Sequence, residues 1–447
     1  MADSLMNIPE SSRHHHSADE ISCSLRRLLW PDIPDHIWKR PDWQWQNRLT
    51  GRHGLELLLP HLLEADHRSR LNGDSDRKNS SKKIEQIISK LTHLLETYPW
   101  SATPYYISLA NREPFDPAWI TGYQTTESIL QQPKDPILLQ AVPSIQELSH
   151  QLKSEREEEK RASHEAASLY SPDPLAERRH SPVPGLIHRY RDRCLLLVSR
   201  LCPLLCRHCN RKRTWIRDRN EAILSWMALE RAVNYIKKHP GIREVLLSGG
   251  DPLTLNRNRL KQILTAIREI QHVEVVRIGT RLPVTLPYAI DEDLCSMLSQ
   301  FRPIWINTHF NHVREITEDA ARACEMLQMA GLAVSNQAVL LKGVNDSYEQ
   351  IRQLCTRLQA IMVRPYYLFQ CDMVTGTAHF RTPLSTGISI MKQLWGDTGG
   401  MAIPRFAIDL PQGQGKAVIA PSSLLAYDKG KALVETFDGK QVEYTDP

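Results

Sequence analysis

No run of apolar residues approaches the roughly 20 that a membrane-spanning helix needs, and the opening MADSLMNIPESSRHHHSADE is too polar for a secretory signal. A membrane partner is therefore not expected, and a cytoplasmic location is. An excess of one charge is missing too: 56 Lys and Arg stand against 51 Asp and Glu, a net +5, and the signs are interspersed. That balance points to solvated surface and gives no argument for a nucleic-acid partner. The nine cysteines are an odd number in a large chain without a secretory signal, so a disulfide framework is not expected. A second cysteine pair at zinc-ribbon spacing is absent, as are a Gly-rich dinucleotide fingerprint, the phosphate-cradling G-x4-G-K-[ST] and any internal repeat.

What remains is a chain of 447 residues, 41% hydrophobic and 24% charged, enough for one large core or two ordinary domains. Its first half reads as helices broken by loops. LWPDIPDHIWKRPDWQWQNRLTG sets Trp30, Trp38, Trp43 and Trp45 among prolines, which suggests aromatic anchors for an irregular arm. Basic residues do not dominate that interleaving, so a base-stacking surface is the weaker reading. HRSRLNGDSDRKNSSKK reads as a polar break, KKIEQIISKLTHLLETY as an amphipathic helix, and IQELSHQLKSEREEEKRASHEAA as a helix with a solvated charged half. His14, His15 and His16, near a polar end, are expected to be inert.

From about residue 190 the texture changes. Short β-branched or leucine-rich runs at 194–199, 243–249, 273–280, 304–310, 332–341 and 363–370 alternate with helical patterns such as ALERAVNYIKKH and DAARACEMLQMAG. Six β-α units in succession predict a parallel sheet, and without a dinucleotide turn a barrel or part-barrel is favoured. Chemistry in such barrels sits at the strand C-terminal ends. Cysteines, SGGD, THFNH and CD all fall there.

LCPLLCRHCN places Cys202, Cys206 and Cys209 at C-x3-C-x2-C after the first of these strands. Structural zinc takes four ligands, and His208 abuts Cys209 too closely to join it comfortably on one ion. A dithiol would leave Cys202 unexplained. A 4Fe-4S cluster normally takes four cysteines; three would leave one iron open for a ligand. That spacing, after the first strand of a β-α series, is the signature of radical S-adenosylmethionine (SAM) enzymes, and zinc or a dithiol stands as the alternative. LLSGGDPL offers Cβ-free backbone at a strand end, and DLPQGQGKAVIAP is a Gly-rich loop leading to Lys416 that fails the P-loop pattern because Ala417 follows the lysine.

Taken together, DWQWQNRL, TPYYISL, SPVPGLIHRYRDR, CRHCNRKR, LLSGGDPL, VRIGTRLPV, NTHFNH, NQAVLLKGVND, RPYYLFQCD, GTAHFRTPLSTGI and DLPQGQGK resemble the lysine 2,3-aminomutase family from about Pro41 to Pro421. Its members are radical SAM isomerases that also carry pyridoxal phosphate (PLP). The resemblance implies an α/β fold with a partial (β/α)6 parallel barrel over 181–375. A helical region over 1–180 would precede it, and a segment over 376–447 would carry the PLP lysine. It implies that Cys202, Cys206 and Cys209 hold a 4Fe-4S cluster, and that Ser248, Gly249, Gly250, Asp251, His309 and Gln337 line the SAM site. Lys416 would hold PLP covalently, with Arg189, Tyr190 and Arg193 by its phosphate. Arg211 would clamp the substrate α-carboxylate, and Asp372 and Asp409 would bind the side-chain ammonium. The implied reaction interconverts L-lysine and L-β-lysine by 1,2-amino migration, with SAM cleavage supplying the radical. A flavodoxin- or ferredoxin-like electron donor and a homo-oligomer follow by the same resemblance.

The match has departures. Ser347 follows GVND where many clostridial-type members have a zinc-binding cysteine, and no cysteine lies beyond Cys371, so a zinc site is not expected. Asn210 replaces a common threonine, Phe369 a common tyrosine, Cys194 an aliphatic residue, and Gln412 and Gln414 interrupt a more uniformly glycine loop. Rival substrates are arginine, glutamate or a protein-borne lysine; a zinc- or cluster-binding module is the rival of a different class. Glutamate is disfavoured because Asp372 and Asp409 form two carboxylates with no designated internal cation, which repel each other until a substrate cation arrives.

Overall fold

The computed structural model describes residues 25–67, 74–110, 135–148, 170–215, 222–428, 430–436 and 438–445. The His14–His16 run, and the charged stretch from 149 onward, lie outside the described residues. Among the described residues no helix is long and apolar enough to cross a membrane.

All six expected runs are strands, and they pair in chain order. The sheet has nine strands, β1 (Leu186–Tyr190), β2 (Arg193–Ser199), β3 (Glu244–Gly249), β4 (Val275–Gly279), β5 (Ile304–Thr308), β6 (Ala333–Leu340), β7 (Arg364–Gln370), β8 (Arg405–Asp409) and β9 (Lys416–Val418). Neighbours from β2 to β8 are parallel, whereas β1 and β9 close the two edges as antiparallel partners. Every crossover steps the same way, so the sheet curls, and the end strands are not paired with each other. The result is a half-barrel. β1, β8 and β9 go beyond the expected six; RFAID, for one, is short and bounded by its own Arg405 and Asp409, which hides it from a search for apolar runs.

Alternation along the strands divides core from cavity. Val245, Leu247, Val276, Ile278 and Ile306 are fully buried toward the outer helices, while Glu244, Leu246, Ser248, Arg277 and Asn307 line the concave side. Helices α3 (Trp226–Lys237), α4 (Arg257–Arg268), α5 (Glu292–Ser299), α6 (Glu318–Met329), α7 (Tyr348–Ala360) and α8 (Leu384–Asp397) follow the inner strands. In α3 the buried Leu229, Ala232, Val233 and Ile236 fall on one face, and Ser225 caps its start by accepting from the Ala228 amide at 3.2 Å. Each such Leu or Ile contributes about 1.5–3 kcal/mol of burial. Ser347, where zinc-binding relatives were expected to carry cysteine, caps α7 in a reciprocal pair with Gln350.

The N-terminal region packs over the loop after β2. Its long helices are α1 (Gly51–His67) and α2 (Asp74–Thr97). Helix α2 begins inside the expected polar break. The tryptophans cluster as anchors: Trp38 lies 5.6 Å, ring centre to ring centre, from both Trp30 and Trp43. Backbone bonds run from Leu205 to Ser101 (2.9 Å) and from Arg207 to Gln140 (2.9 Å). Deeper still, Glu147 accepts from Arg207 Nε (2.9 Å), Arg207 Nη2 (2.7 Å) and Lys212 Nζ (2.6 Å), all without solvent.

Glu147→Ala strands two buried cations, a loss of about 3–5 kcal/mol by analogy with broken buried pairs. Equilibrium denaturation should give a correspondingly lower unfolding free energy, whereas truncating the exposed Glu443 partner of Lys431 should leave it unchanged within error.

Candidate active site

The concave face encloses one cavity of about 560 Å³. Cys202, Cys206 and Cys209 lie at its β-strand C-terminal end, on the loop that leaves β2. A turn closes the last two, with the Cys209 amide donating to the Cys206 carbonyl at 2.9 Å. Arg48 from the tryptophan arm donates to the Cys202 carbonyl at 3.1 Å. Burial raises the Cys202 and Cys209 thiols, and the charges of Asp251 and Cys206 respectively add to it. Such thiols deprotonate when a metal takes the proton's place. Arg281 Nη1 donates to Cys206 Sγ at 2.8 Å. Among the described residues no three His, Cys, Asp or Glu side chains are placed to share one ion; a cluster, which gives each thiolate its own iron, asks less convergence of them.

The SGGD segment does more than present open backbone. A Cβ at Gly249 would stand 2.1 Å from the Ser199 carbonyl oxygen, and one at Gly250 would stand 2.4 Å from that of Leu201. These glycines let the end of β3 lie against the start of the cysteine loop, where the Gly250 and Asp251 amides bond to Ser199 and Leu201. Asp251 is buried, and its carboxylate accepts from Thr280 Oγ1 (2.7 and 2.9 Å), the Arg281 amide (2.7 Å) and the Leu253 amide (3.1 Å). Its side chain ties the loop after β3 to the loop after β4, while its backbone amide reaches the cysteine loop. His309, pushed down to about 4 by burial and then by Arg281, stands neutral beside the backbone of Gln337.

Toward the other end the cavity turns aromatic and charged. Lys416 and Asp409 are cross-strand partners of the β8–β9 hairpin, with Nζ 3.9 Å from the carboxylate. The lysine Nζ lies 3.7 Å from the Phe369 ring centre and 4.6 Å from that of Tyr367. Burial pushes Lys416 down to about 8, against the pull of Asp409 and Asp372. The same burial, with Asp409 adding to it, raises Asp372 to about 7. Asn210 Nδ2 donates to Asp372 at 3.1 Å. The two carboxylates thus have an internal cation in Lys416, which corrects the expectation that they had none.

Arg189, Tyr190 and Arg193 come from the β1–β2 edge, with the Arg193 guanidinium 3.9 Å over the Tyr190 ring. Arg189 Nε is buried without a partner, and so is Nε of Arg277, whose other end pairs with Glu244 at 2.5 Å. Arg211 is engaged on one side by Glu177, at 2.7 Å from Nη2 and 3.0 Å from Nε, leaving Nη1 toward Ser248 at 3.4 Å. Every candidate residue, from Arg189 to Lys416, lines the same cavity. Sequence reasoning missed Glu177, Glu244, Arg277, Arg281 and Asn307. Arg281 stood in a quoted segment, VRIGTRLPV, with no pattern to mark it, and the acidic partners carry no local signal.

Residues 196–355 match the Radical SAM superfamily, and residues 391–447 match a family described as Lysine-2,3-aminomutase. The L-lysine 2,3-aminomutase of Fusobacterium nucleatum is 38% identical over 424 residues, spanning 95% of this chain and 86% of that one. The chain belongs to the lysine 2,3-aminomutase family. The Clostridium subterminale member is likewise 38% identical, across 94% of this chain and 88% of its own. A glutamate 2,3-aminomutase of Clostridioides difficile is 34% identical over 92% of this chain and 83% of its own. This family member is accordingly a radical SAM isomerase, and that superfamily implies a 4Fe-4S cluster and SAM. The cysteine loop, with a guanidinium already donating to one sulfur, suits that cluster. The unpartnered guanidinium nitrogens beside an amine of depressed basicity suit an anionic aldehyde cofactor.

Competitive acetylation followed by peptide mapping should place the reactivity inflection of Lys416 near pH 8, because the neutral amine accumulates above its pKa. A lysine in a solvated reference peptide, acetylated in parallel, should inflect at about 10.4; an equally late inflection at Lys416 would contradict the buried setting.

Proposed function

We propose that this chain interconverts L-lysine and L-β-lysine, using PLP on Lys416 and SAM on a 4Fe-4S cluster held by Cys202, Cys206 and Cys209. The observation that carries the reading is the Lys416–Asp409–Asp372 arrangement. A buried amine at 3.9 Å from one carboxylate neutralises part of a pair that otherwise repels. Once Nζ is engaged covalently, that cation is gone. Asp372 and Asp409 then favour a replacement, and a substrate side-chain ammonium supplies it through separate charged hydrogen bonds. A glutamate substrate would bring a third negative charge instead.

When bound, SAM and the cluster would supply radical chemistry and PLP would supply a covalent anchor for the migrating nitrogen. The remaining tasks belong to side chains. Arg189 and Arg193, with Tyr190, would take the PLP phosphate, the orphan Nε of Arg189 giving a donor with nothing else to bind. Arg211 would hold the substrate α-carboxylate through Nη1, while Glu177 fixes the rest of its guanidinium. Ser248, Gly249, Gly250, Asp251, His309 and Gln337 would border SAM, with Asp251 acting as the tie that shapes the wall. Tyr367 and Phe369 wall off the lysine and keep water from the reacting atoms. Holding both ends of the substrate is the protein's main contribution, since a free radical step gains from orientation above all.

The test is anaerobic incubation of reconstituted protein with SAM, a reductant and L-lysine, L-arginine or L-glutamate in turn. β-Lysine should form fastest; faster turnover of arginine or glutamate would overturn the substrate. Asp372→Asn or Asp409→Asn should lower kcat/KM for lysine by about one to two decades, the loss of a charged hydrogen bond of roughly 1.5–3 kcal/mol. Because Asp372 carries its charge only above about 7 in the empty site, KM for lysine should fall as pH rises through that value, and Asp372→Asn should flatten the dependence. Replacing any one of Cys202, Cys206 or Cys209 by Ala should abolish SAM cleavage.

A further inference from the structure

Among the described residues, Arg281 is the buried cation whose guanidinium reaches a sulfur of the cysteine loop. Nη1 donates to Cys206 Sγ at 2.8 Å, and the other nitrogens are all committed. Nη2 donates to Glu315 (2.6 Å), Gln140 (2.7 Å) and Tyr106 (3.2 Å), and Nε to the His309 carbonyl (3.0 Å). Glu315 is fully buried and is itself held by the Tyr106 hydroxyl at 2.6 Å, by Gln140 at 3.0 Å and by two backbone amides. The guanidinium therefore cannot swing away from the sulfur without breaking a network that spans the N-terminal region, the end of β4 and the end of β5. The pair is oriented, with its positive end on Cys206 and its negative end turned away.

We propose that Arg281 sets the reduction potential of the cluster by donating a charge-assisted hydrogen bond to the Cys206 sulfur. Reduction adds one electron and therefore negative charge to the cluster and its thiolates, the electron coming from a low-potential one-electron donor such as a reduced flavin or iron-sulfur protein. A fixed cationic donor at one sulfur stabilises the reduced form more than the oxidised form, which raises the potential. In a dry setting that difference is not screened by water. Arg281 is thus a positioning and tuning residue for the electron that starts the reaction, acting through Cys206. The inference rests on the proposed cluster assignment.

The test is an EPR-monitored redox titration of reconstituted wild type, Arg281→Lys and Arg281→Gln, each with iron and sulfide assayed first. Arg281→Gln should shift the midpoint to lower potential, and Arg281→Lys, which keeps the charge, should shift it less. A fully loaded Arg281→Gln protein with the wild-type midpoint would overturn the proposal. Should that variant fail to take up the cluster, Glu315→Gln reads the opposite sign: removing the counter-charge should raise the midpoint, and an unchanged or lowered value overturns it. In the wild type, arginine labelled with nitrogen-15 only in the guanidinium, which leaves the Arg211 amide that donates to Cys209 Sγ unlabelled, should produce a hyperfine coupling to the reduced cluster, and a missing coupling counts against the bond itself. If the wild type assembles no cluster, the iron and sulfide assay, ahead of any titration, removes the cluster reading together with this one.

Discussion

Glu147 is a carboxylate without water, and the geometry at the mouth of the half-barrel depends on it. Its two cations, Arg207 and Lys212, flank Cys209 in the chain, and Arg207 lies between two of the three cysteines. A sheet that stops short of closing gives a loop at its rim little to lean on. The helical region supplies the missing wall, and it does so with buried charge as well as apolar area. Desolvating three ionic groups is costly, so the arrangement persists only because each has excellent partners: Arg207 also donates to the Pro99 carbonyl at 2.8 Å and Lys212 to that of Gly376 at 3.0 Å. The price is rigidity in the one loop that must hold three thiols still.

The cavity sorts its charges along its length. Cations that can meet a phosphate gather at the β1–β2 edge, and two carboxylates gather across from Lys416. Burial moves Lys416 and Asp372 toward each other on the pH scale, to about 8 and about 7. Neither holds its charge firmly, so the pair can exchange one cation for another at small electrostatic cost. That property suits the role proposed for Lys416, which would bind a cofactor and be displaced from it.

Much of this was legible in the chain because periodicity and spacing are local. The six apolar runs became strands in the expected order, and the cysteines, SGGD and THFNH fell at the strand ends where barrel chemistry collects. β1, β8 and β9 were not, since LIHRY, RFAID and KAV are short and carry charged residues; their pairing is a tertiary fact. The same reason hides Glu177 behind Arg211 and Glu315 behind Arg281, pairs separated by 34 residues in each case. A buried ion pair needs the whole fold before its partners can meet. The glycine pair was found and its purpose was only half seen: an open backbone was expected, and a backbone packed against another backbone is what it allows.

The β8–β9 hairpin leaves one constraint on how this chain can vary. Asp409 and Lys416 face each other because the turn between them has a set length, with Gly413 and Gly415 at positive φ and even Gln412 held at φ 57°. Residue type is negotiable at Gln412 but not at Gly413, where a Cβ would stand 2.8 Å from the Leu175 carbonyl oxygen. Length is not negotiable. Side chains alternate faces along a strand, so inserting or deleting a single residue would turn Lys416 from the cavity to the outside while leaving the hairpin itself intact. Drift in this segment should therefore tolerate substitution at positions such as Gln412 more readily than gaps, because a one-residue gap would take the amine from the site.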